Sequence, residues 1–111
     1  MQQMINETEW KTWTTQQLTA DQLVSKKACF VKHISLTTST GGAATALVYD
    51  GWATTGKLKF SLSAVTSTYY CEDFSIPIYF NNGIYVDVGD NVALFTIQFK
   101  EESNLFDDLH S

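Results

Sequence analysis

The most informative segment of the chain covers residues 74–88 and has the sequence FSIPIYFNNGIYVDV. Its apolar side chains recur at every second position, which is the period of a strand with one buried face. An Asn-Gly pair between two such runs, here Asn82-Gly83, predicts a type I′ hairpin turn. Pro77 lacks a backbone N–H, so it marks an edge, a bulge or a break in the ladder. The predicted inward residues are Phe74, Ile76, Ile78, Phe80, Ile84, Val86 and Val88.

The same alternation continues on both sides of this segment. It predicts strands over 29–37, 57–65 and 93–99, each with one core-facing side. The run 43–50 is apolar on both sides, so we expect that strand to be covered on both faces. The predicted core-facing residues outside 74–88 are Phe30, Lys32, Ile34, Leu36, Leu58, Phe60, Leu62, Ala93, Phe95, Ile97 and Phe99.

These strands predict an all-β fold, an antiparallel β-sandwich that resembles a jelly roll. A parallel βαβ architecture is excluded, because no helical crossover separates the strands. Residues 1–22 are polar and rich in Thr and Gln, and we interpret them as an extended N-terminal arm. The β-sandwich domain is predicted over 23–100, and an acidic C-terminal tail over 101–111.

The composition of the 111 residues excludes several functions. The formal net charge is -5, and all seven basic residues are Lys, with no Arg. We therefore expect no nucleic-acid binding, which needs a basic surface and favours Arg. No apolar run is long enough to span a membrane, and the first residues lack the pattern of a signal peptide. We expect synthesis and retention in a cytosol, where Cys29 and Cys71 are predicted to be two buried thiols rather than a disulfide.

No constellation of residues predicts catalysis or metal binding. His33 and His110 are the two histidines, and neither has a nucleophile pattern such as Gly-x-Ser-x-Gly nearby. Glu72 and Asp73 are adjacent in a strand, so they point to opposite faces and cannot act together on one bond. The turn that holds Asp87 and Asp90 lacks the spacing of a calcium loop. We therefore predict no enzymatic activity, no catalytic residue, no metal and no cofactor.

Aromatic residues outside the predicted core are the remaining candidates for function. Trp10 and Trp13 lie on the polar arm, where they have no core of their own to enter. They must cover the sandwich or dock on another chain. Exposed aromatic rings can also stack on sugars, which makes glycan binding by Trp52 and surface Tyr residues an alternative. The predicted partner-binding residues are Ile5, Trp10, Trp13 and Trp52.

Residues 18–100 resemble short virion proteins of tailed bacteriophages. The resemblance rests on LVS at 23–25, ISLT at 34–37, ALVYDG at 46–51 and KL at 57–58. It is strongest at FNNGIYV, residues 80–86, which is followed by the closing strand 92–99. The group has a β-sandwich fold and includes capsid decoration (cement) proteins, head-fibre proteins and tail accessory proteins.

The resemblance implies a non-enzymatic structural protein of the virion, made in the host cytoplasm. We expect a capsid decoration protein that stabilises the head, with the major capsid protein or other virion proteins as partners. The alternative is a head-fibre, neck or tail accessory protein whose β-sandwich binds surface glycans or the host. In either case we expect a homo-oligomer, a trimer or a dimer, because such particle proteins often form symmetric assemblies.

Overall fold

The structure is a computed structural model that describes residues 13–39 and 41–102. The described chain forms two four-stranded antiparallel sheets. Sheet A has the order β1-β8-β3-β6, and sheet B has the order β2-β7-β4-β5. The predicted all-β sandwich is confirmed. In chain order the strands are β1 (Thr14–Leu18), β2 (Gln22–Ser25), β3 (Cys29–Thr38), β4 (Ala44–Asp50), β5 (Lys57–Ala64), β6 (Tyr69–Phe80), β7 (Ile84–Val88) and β8 (Val92–Glu101).

The strand pairing follows one simple rule. The first strand pairs with the last, the second with the seventh, the third with the sixth and the fourth with the fifth. The chain is therefore one long antiparallel ribbon, closed by the loop 51–56 and folded over itself into two sheets. Eight strands in this double-sheet arrangement form a jelly roll. The core between the sheets contains Leu18, Cys29, Val31, Ile34, Leu36, Ala44, Ala46, Val48, Leu62, Phe80, Ile84, Val86, Phe95, Ile97 and Phe99.

The ribbon has two legs, β1–β4 and β5–β8. Hydrogen bonds join these legs where both pass from one sheet to the other. At one crossing, Asp21 Oδ1 accepts a hydrogen bond of 2.7 Å from the Val88 N–H. At another, the Thr38 hydroxyl accepts a bond of 2.9 Å from the Thr68 N–H. Backbone groups at a crossing have left both ladders, so they need partners of this kind.

The turn at Asn82-Gly83 is a third crossing and not the predicted hairpin. It joins β6 in sheet A to β7 in sheet B, so the two strands do not pair with each other. Gly83 has a φ of +147°, and a Cβ there would lie 2.4 Å from the Ser25 carbonyl oxygen. The glycine is thus explained by the close approach of the two legs rather than by a type I′ turn.

Asp50 holds this crossing in place from the end of β4. Its side chain is buried, and its two carboxylate oxygens accept hydrogen bonds from the backbone N–H groups of Asn81, at 2.9 Å, and Asn82, at 2.8 Å. Gly51 N–H also donates to the Gly83 carbonyl oxygen at 3.2 Å. The loop 51–56 is thereby fixed against the crossing.

A β-bulge in β3 contradicts part of the predicted core. Phe30 and Lys32 were predicted to face inward, but Phe30 is only half-buried and Lys32 is exposed. Between Val31 and His33, β3 has one residue more than its partner β8. An extra residue reverses the alternation of side chains along the strand. The buried residues of β3 that result are Cys29, Val31, Ile34, Leu36 and Thr38.

Register shifts also explain three further residues that were wrongly predicted as inward. Leu58 is exposed because β5 has one residue more than β4 at this point. The extra residue lies between the two residues of β5 that pair with Val48 and Tyr49. Ala93 is exposed beside a register shift between β3 and β8. Ile76 is 79% exposed because residues 74–77 bulge out of the pairing between β3 and β6. The bulge that Pro77 predicts is therefore present, and the rest of β6 is largely exposed.

The other sheet agrees better with the predicted pattern. In β7, Ile84 and Val86 are buried and Val88 is half-buried, as expected for an inward row. In β4, the alternate residues Leu47 and Tyr49 are only half-buried, so the predicted covering of both faces is incomplete.

Part of the predicted N-terminal arm belongs to the sandwich. Residues 1–12 lie outside the described residues, whereas Thr14–Leu18 forms β1 at an edge of sheet A. Leu18 is buried in the core, and the next strand begins at Gln22. At the other end β8 continues to Glu101, and residues 103–111 lie outside the described part. Within the described residues, no helix has the length and hydropathy needed to cross a membrane.

We expect Asp50→Ala to lower the free energy of unfolding by about 2–3 kcal/mol, because two backbone N–H groups lose a charged acceptor. Asp50→Asn should cost less, since it keeps one acceptor oxygen. Urea denaturation followed by tryptophan fluorescence measures both. Asp90→Ala, in an exposed turn, is the matched control and should change stability by no more than about 0.5 kcal/mol. Equal effects of Asp50→Ala and Asp90→Ala would contradict the role of Asp50.

Candidate functional site

A row of aromatic and lysine side chains crosses the outer face of sheet A. Phe30 is paired with Lys100 on one side and with Tyr79 on the other, so these three side chains share one face. Trp13 precedes Thr14, the first residue of β1, and its ring centroid lies 4.8 Å from Lys100 Nζ. Lys32, at the bulge of β3, places its Nζ 5.3 Å from the same centroid. We call Trp13, Phe30, Lys32, Tyr79 and Lys100 the aromatic–lysine row.

Contacts within the row hold its side chains in place. The Phe30 and Tyr79 rings lie 5.1 Å apart between centroids, at an interplanar angle of 49°. The Tyr79 hydroxyl donates a hydrogen bond of 2.6 Å to Glu102 Oε2, and this bond to a carboxylate raises the pKa of Tyr79. Two ammonium groups share the Trp13 ring, an arrangement that contributes about 0.5–1 kcal/mol per contact at exposed sites. The row is therefore ordered while it remains accessible from solvent.

The β-bulge at Lys32 creates the row. Without it, the strand alternation would turn Phe30 into the core, away from Tyr79 and Lys100. With it, Phe30 faces outward, and Lys32 reaches the Trp13 ring. The sequence pattern gave no signal for this row, because a one-residue bulge cannot be located from alternation alone.

Trp52 forms a second feature, at the tip of the sandwich. Its side chain is 57% exposed, and its Nε1 donates a hydrogen bond of 2.8 Å to the Asn82 carbonyl oxygen. Lys26 Nζ lies 5.5 Å from the Trp52 ring centroid. The ring lines an open cleft of about 560 Å³ together with Thr55, Asn81 and other residues of the loops at this end. We call this the Trp52 cleft.

The predicted partner-binding residues are thus separated in the structure. Trp13 lies in the aromatic–lysine row and Trp52 lines the cleft. Ile5 and Trp10 lie outside the described residues. Phe30 and Lys32 were missed because they were assigned to the core, and Tyr79 was not singled out among the surface Tyr residues.

The titratable residues of β3 and β6 form isolated pairs. His33 Nδ1 lies 2.6 Å from Asp73 Oδ1 on the exposed face of sheet A. The Tyr70 hydroxyl donates to Glu72, and this bond raises the pKa of Tyr70. Glu72 and Asp73 therefore engage different partners on opposite faces of β6, as predicted. Among residues 13–39 and 41–102, no group of three or more His, Cys, Asp or Glu side chains could hold a metal ion. The prediction that the protein is not an enzyme stays a prediction.

The two cysteines are free, and they differ in exposure. Cys29 is buried, with its Sγ 3.2 Å from Ser25 Oγ and 3.0 Å from the Lys27 carbonyl oxygen. Burial raises the pKa of the Cys29 thiol to about 11. Cys71 was also predicted to be buried, and this was wrong. It lies on edge strand β6, opposite Ser35 of β3, and it is exposed.

Comparisons of the chain with protein-family models, with curated proteins and with solved structures gave no match.

We expect Cys71 to react with a maleimide in the native protein, while Cys29 does not. The Cys29 thiol is buried, and its raised pKa keeps it protonated even at pH 9, where an ordinary thiol is half ionised. Mass spectrometry after labelling, with and without urea, should show one adduct on the folded protein and two on the unfolded protein. Cys71→Ser should abolish the adduct on the folded protein. Two adducts without urea would contradict the burial of Cys29.

Proposed function

We propose that the protein is a structural virion protein of a tailed phage, a capsid decoration (cement) protein that docks on the assembled head. The observation that carries the proposal is the aromatic–lysine row on the outer face of sheet A. The phage assignment itself comes from the resemblance of residues 18–100 to short virion proteins. After synthesis in the host cytoplasm, the protein would reside in the virion.

The row has the features of a docking surface. Tyr and Trp are enriched among the residues that dominate binding energy at protein interfaces. The row runs from the residue before β1 across β8 and β3 to β6, so its rings and ammonium groups extend over about 15 Å. That length suits the central part of an interface of standard size. Ordinary polar residues of the sheet, such as Thr15 and Gln98, lie beside the row and would form its rim.

The charges of the row point to the chemistry of the partner. Lys32 and Lys100 present two ammonium groups on a chain whose net charge is -5. They would meet carboxylates on the shell, while Trp13 and Phe30 would meet apolar groups. Electrostatic complementarity of this kind orients the encounter and excludes wrong partners.

Stabilisation of a shell needs no catalytic chemistry. A protein that binds only the assembled form stabilises that form by mass action. A rigid sandwich with a filled core can make such contacts without rearranging. Jelly rolls recur in viral capsid proteins and in lectins, and this likeness of architecture is consistent with the proposed role.

We expect Trp13→Ala to weaken binding to phage heads that lack this protein by about 30-fold or more, since an anchor residue contributes about 2 kcal/mol or more. Co-sedimentation of the purified variant with such heads measures the loss. Gln17→Ala, an exposed change on the strand β1 that follows Trp13, is the matched control and should bind normally. Normal decoration by Trp13→Ala, with an unchanged urea midpoint, would rule out the row as the docking surface.

The second candidate is a head-fibre, neck or tail accessory protein that binds glycans or the host. The Trp52 cleft favours it, because the exposed indole lies beside the polar groups of Asn81 and Thr55. Aromatic faces can stack on the apolar faces of sugars. The hydrogen bond from Trp52 Nε1 to Asn82 fixes the ring before any ligand arrives.

For this second candidate, we expect Trp52→Ala to abolish binding on a glycan array while leaving incorporation into virions intact. Thr54→Ala, an exposed change in the same loop, should keep full binding. The absence of any glycan bound by the unmodified protein would remove this candidate. Copy number in purified particles also separates the two roles, since decoration requires many copies set by the symmetry of the shell.

A further inference from the structure

The outer face of sheet B carries a row of aliphatic and aromatic side chains. Leu23 of β2 lies opposite Tyr85 of β7, and Tyr85 lies opposite Tyr49 of β4. Tyr49 in turn lies opposite Leu58 of β5. Residues opposite each other in an antiparallel pair share one face of the sheet. The alternate residues of β4 and β7 fill the core, so these four side chains point away from it. We call them the Leu–Tyr row.

The row departs from the usual pattern of a sheet with one solvated face. Such a face normally carries polar side chains. The outer face of sheet A follows this rule at its centre, where Ser35 lies beside Thr96. In sheet B, by contrast, Leu47 occupies the next outward position of β4 and extends the apolar surface. Leu58 is 48% exposed, and the other members of the row are half-buried.

The described residues do not cover the row. The described strands form two layers, and none of them lies on the outer face of sheet B. Among residues 13–39 and 41–102, the hydroxyl groups of Tyr49 and Tyr85 make no hydrogen bond to another protein group. Tyrosine hydroxyls usually find a partner when the ring is buried. A contact partner for the row therefore has to come from outside the described residues.

The composition of the row favours a second copy of the chain as this partner. Across β2, β7, β4 and β5 the order is Leu, Tyr, Tyr, Leu, which is the same in both directions. A two-fold axis between two such faces, along the row or along the strands, would place leucine on leucine and tyrosine on tyrosine. A two-fold dimer requires a self-complementary surface of this kind. Tyrosine hydroxyls both donate and accept, so like residues can also bond to each other.

Charge contributes little to this face. Asp87 is the charged residue that points outward from the described strands of sheet B, next to the buried Val86. Lys57 lies opposite Asp50, whose side chain is buried, and Lys59 Nζ lies 5.5 Å from the centroid of a core ring. A contact through this face would therefore depend on apolar burial rather than on ion pairs.

The face is large enough for a dimer contact. Four strands about 4.8 Å apart, at about 3.3 Å per residue, give a face on the order of 20 Å by 20 Å. Pleating and side chains raise the accessible area above this projection, so two faces in contact would bury on the order of 1,000 Å² in total. That area is the lower size of a specific interface.

We propose that the chain forms a two-fold dimer in which the Leu–Tyr rows of two copies pack face to face. Sheets packed in this way lie about 10 Å apart with their strands aligned to within about 30°. Tyrosine is also enriched among the residues that dominate binding energy at interfaces. The outer face of sheet A, with the aromatic–lysine row, stays available to another partner. This inference does not depend on the proposed function.

Sedimentation equilibrium of the full chain tests the dimer. We expect a dissociation constant that changes little between about 0.1 M and about 1 M salt, because screening acts on charges and not on apolar contacts. Leu58→Glu should weaken dimerisation by about 10-fold or more, since the contact would bury an unpaired carboxylate. Ile76→Glu is the matched control, because it makes a similar change at a residue of sheet A that is 79% exposed, and it should dimerise normally. Far-UV circular dichroism checks that both variants fold.

Cross-linking with a short bismaleimide identifies the face in contact. In a Cys71→Ser background, Leu58→Cys alone or mixed with Leu23→Cys should give a covalent dimer, whereas Ile76→Cys should not. A monomeric wild type would overturn the proposal, and it is the result expected if another protein or residues outside the described part occupy the face. An unchanged dimer of Leu58→Glu, or no cross-link through Leu58→Cys, would also overturn it. Trp13→Ala should still dimerise, so the particle assay and this test can fail independently.

Discussion

The fold depends on how the two legs of the ribbon cross between the sheets. At each crossing the backbone leaves one ladder before it joins the next, and its polar groups need other partners there. Asp50 is the clearest case, because one buried carboxylate accepts the N–H groups of Asn81 and Asn82. Gly83 allows the legs to approach at the same place, where a side chain would meet the Ser25 carbonyl oxygen. Without this junction β6 and β7 would have no defined path between sheets.

The same junction positions the Trp52 cleft at one end of the molecule. Asn82, fixed by Asp50, accepts the Trp52 indole N–H, so the crossing orients the ring at the tip. On the face of sheet A, the β-bulge at Lys32 turns Phe30 outward and so positions it beside Lys100. Both candidate surfaces are therefore products of irregular positions in an otherwise regular sheet.

Alternation in the sequence was sufficient to predict the fold class and much of the core. It correctly placed Ile84, Val86, Phe95 and Ile97 in the interior, because no bulge interrupts the alternation around these residues in their own strands. Phe80 was also placed correctly, since the three residues from Ile78 to Phe80 follow the bulge of β6 and pair regularly with β3. It failed at Phe30, Leu58 and Ile76, where an extra residue reverses the faces or lifts the chain out of the pairing. It also predicted a hairpin at Asn82-Gly83, since local turn signals do not show which sheet the next strand joins. Trp13 was identified as a surface anchor, but its lysine neighbours come from distant strands and left no local signal.

The exposed edge of β6 has a consequence for crowded conditions. Glu72 accepts the hydrogen bond of the Tyr70 hydroxyl on the face of β6 that is directed toward the other sheet. The irregular segment around Pro77 also interrupts the backbone ladder of this edge. A strand from another molecule that added there would have to enclose a carboxylate and cross a gap in the ladder. This edge of sheet A is therefore a poor template for the addition of a further strand.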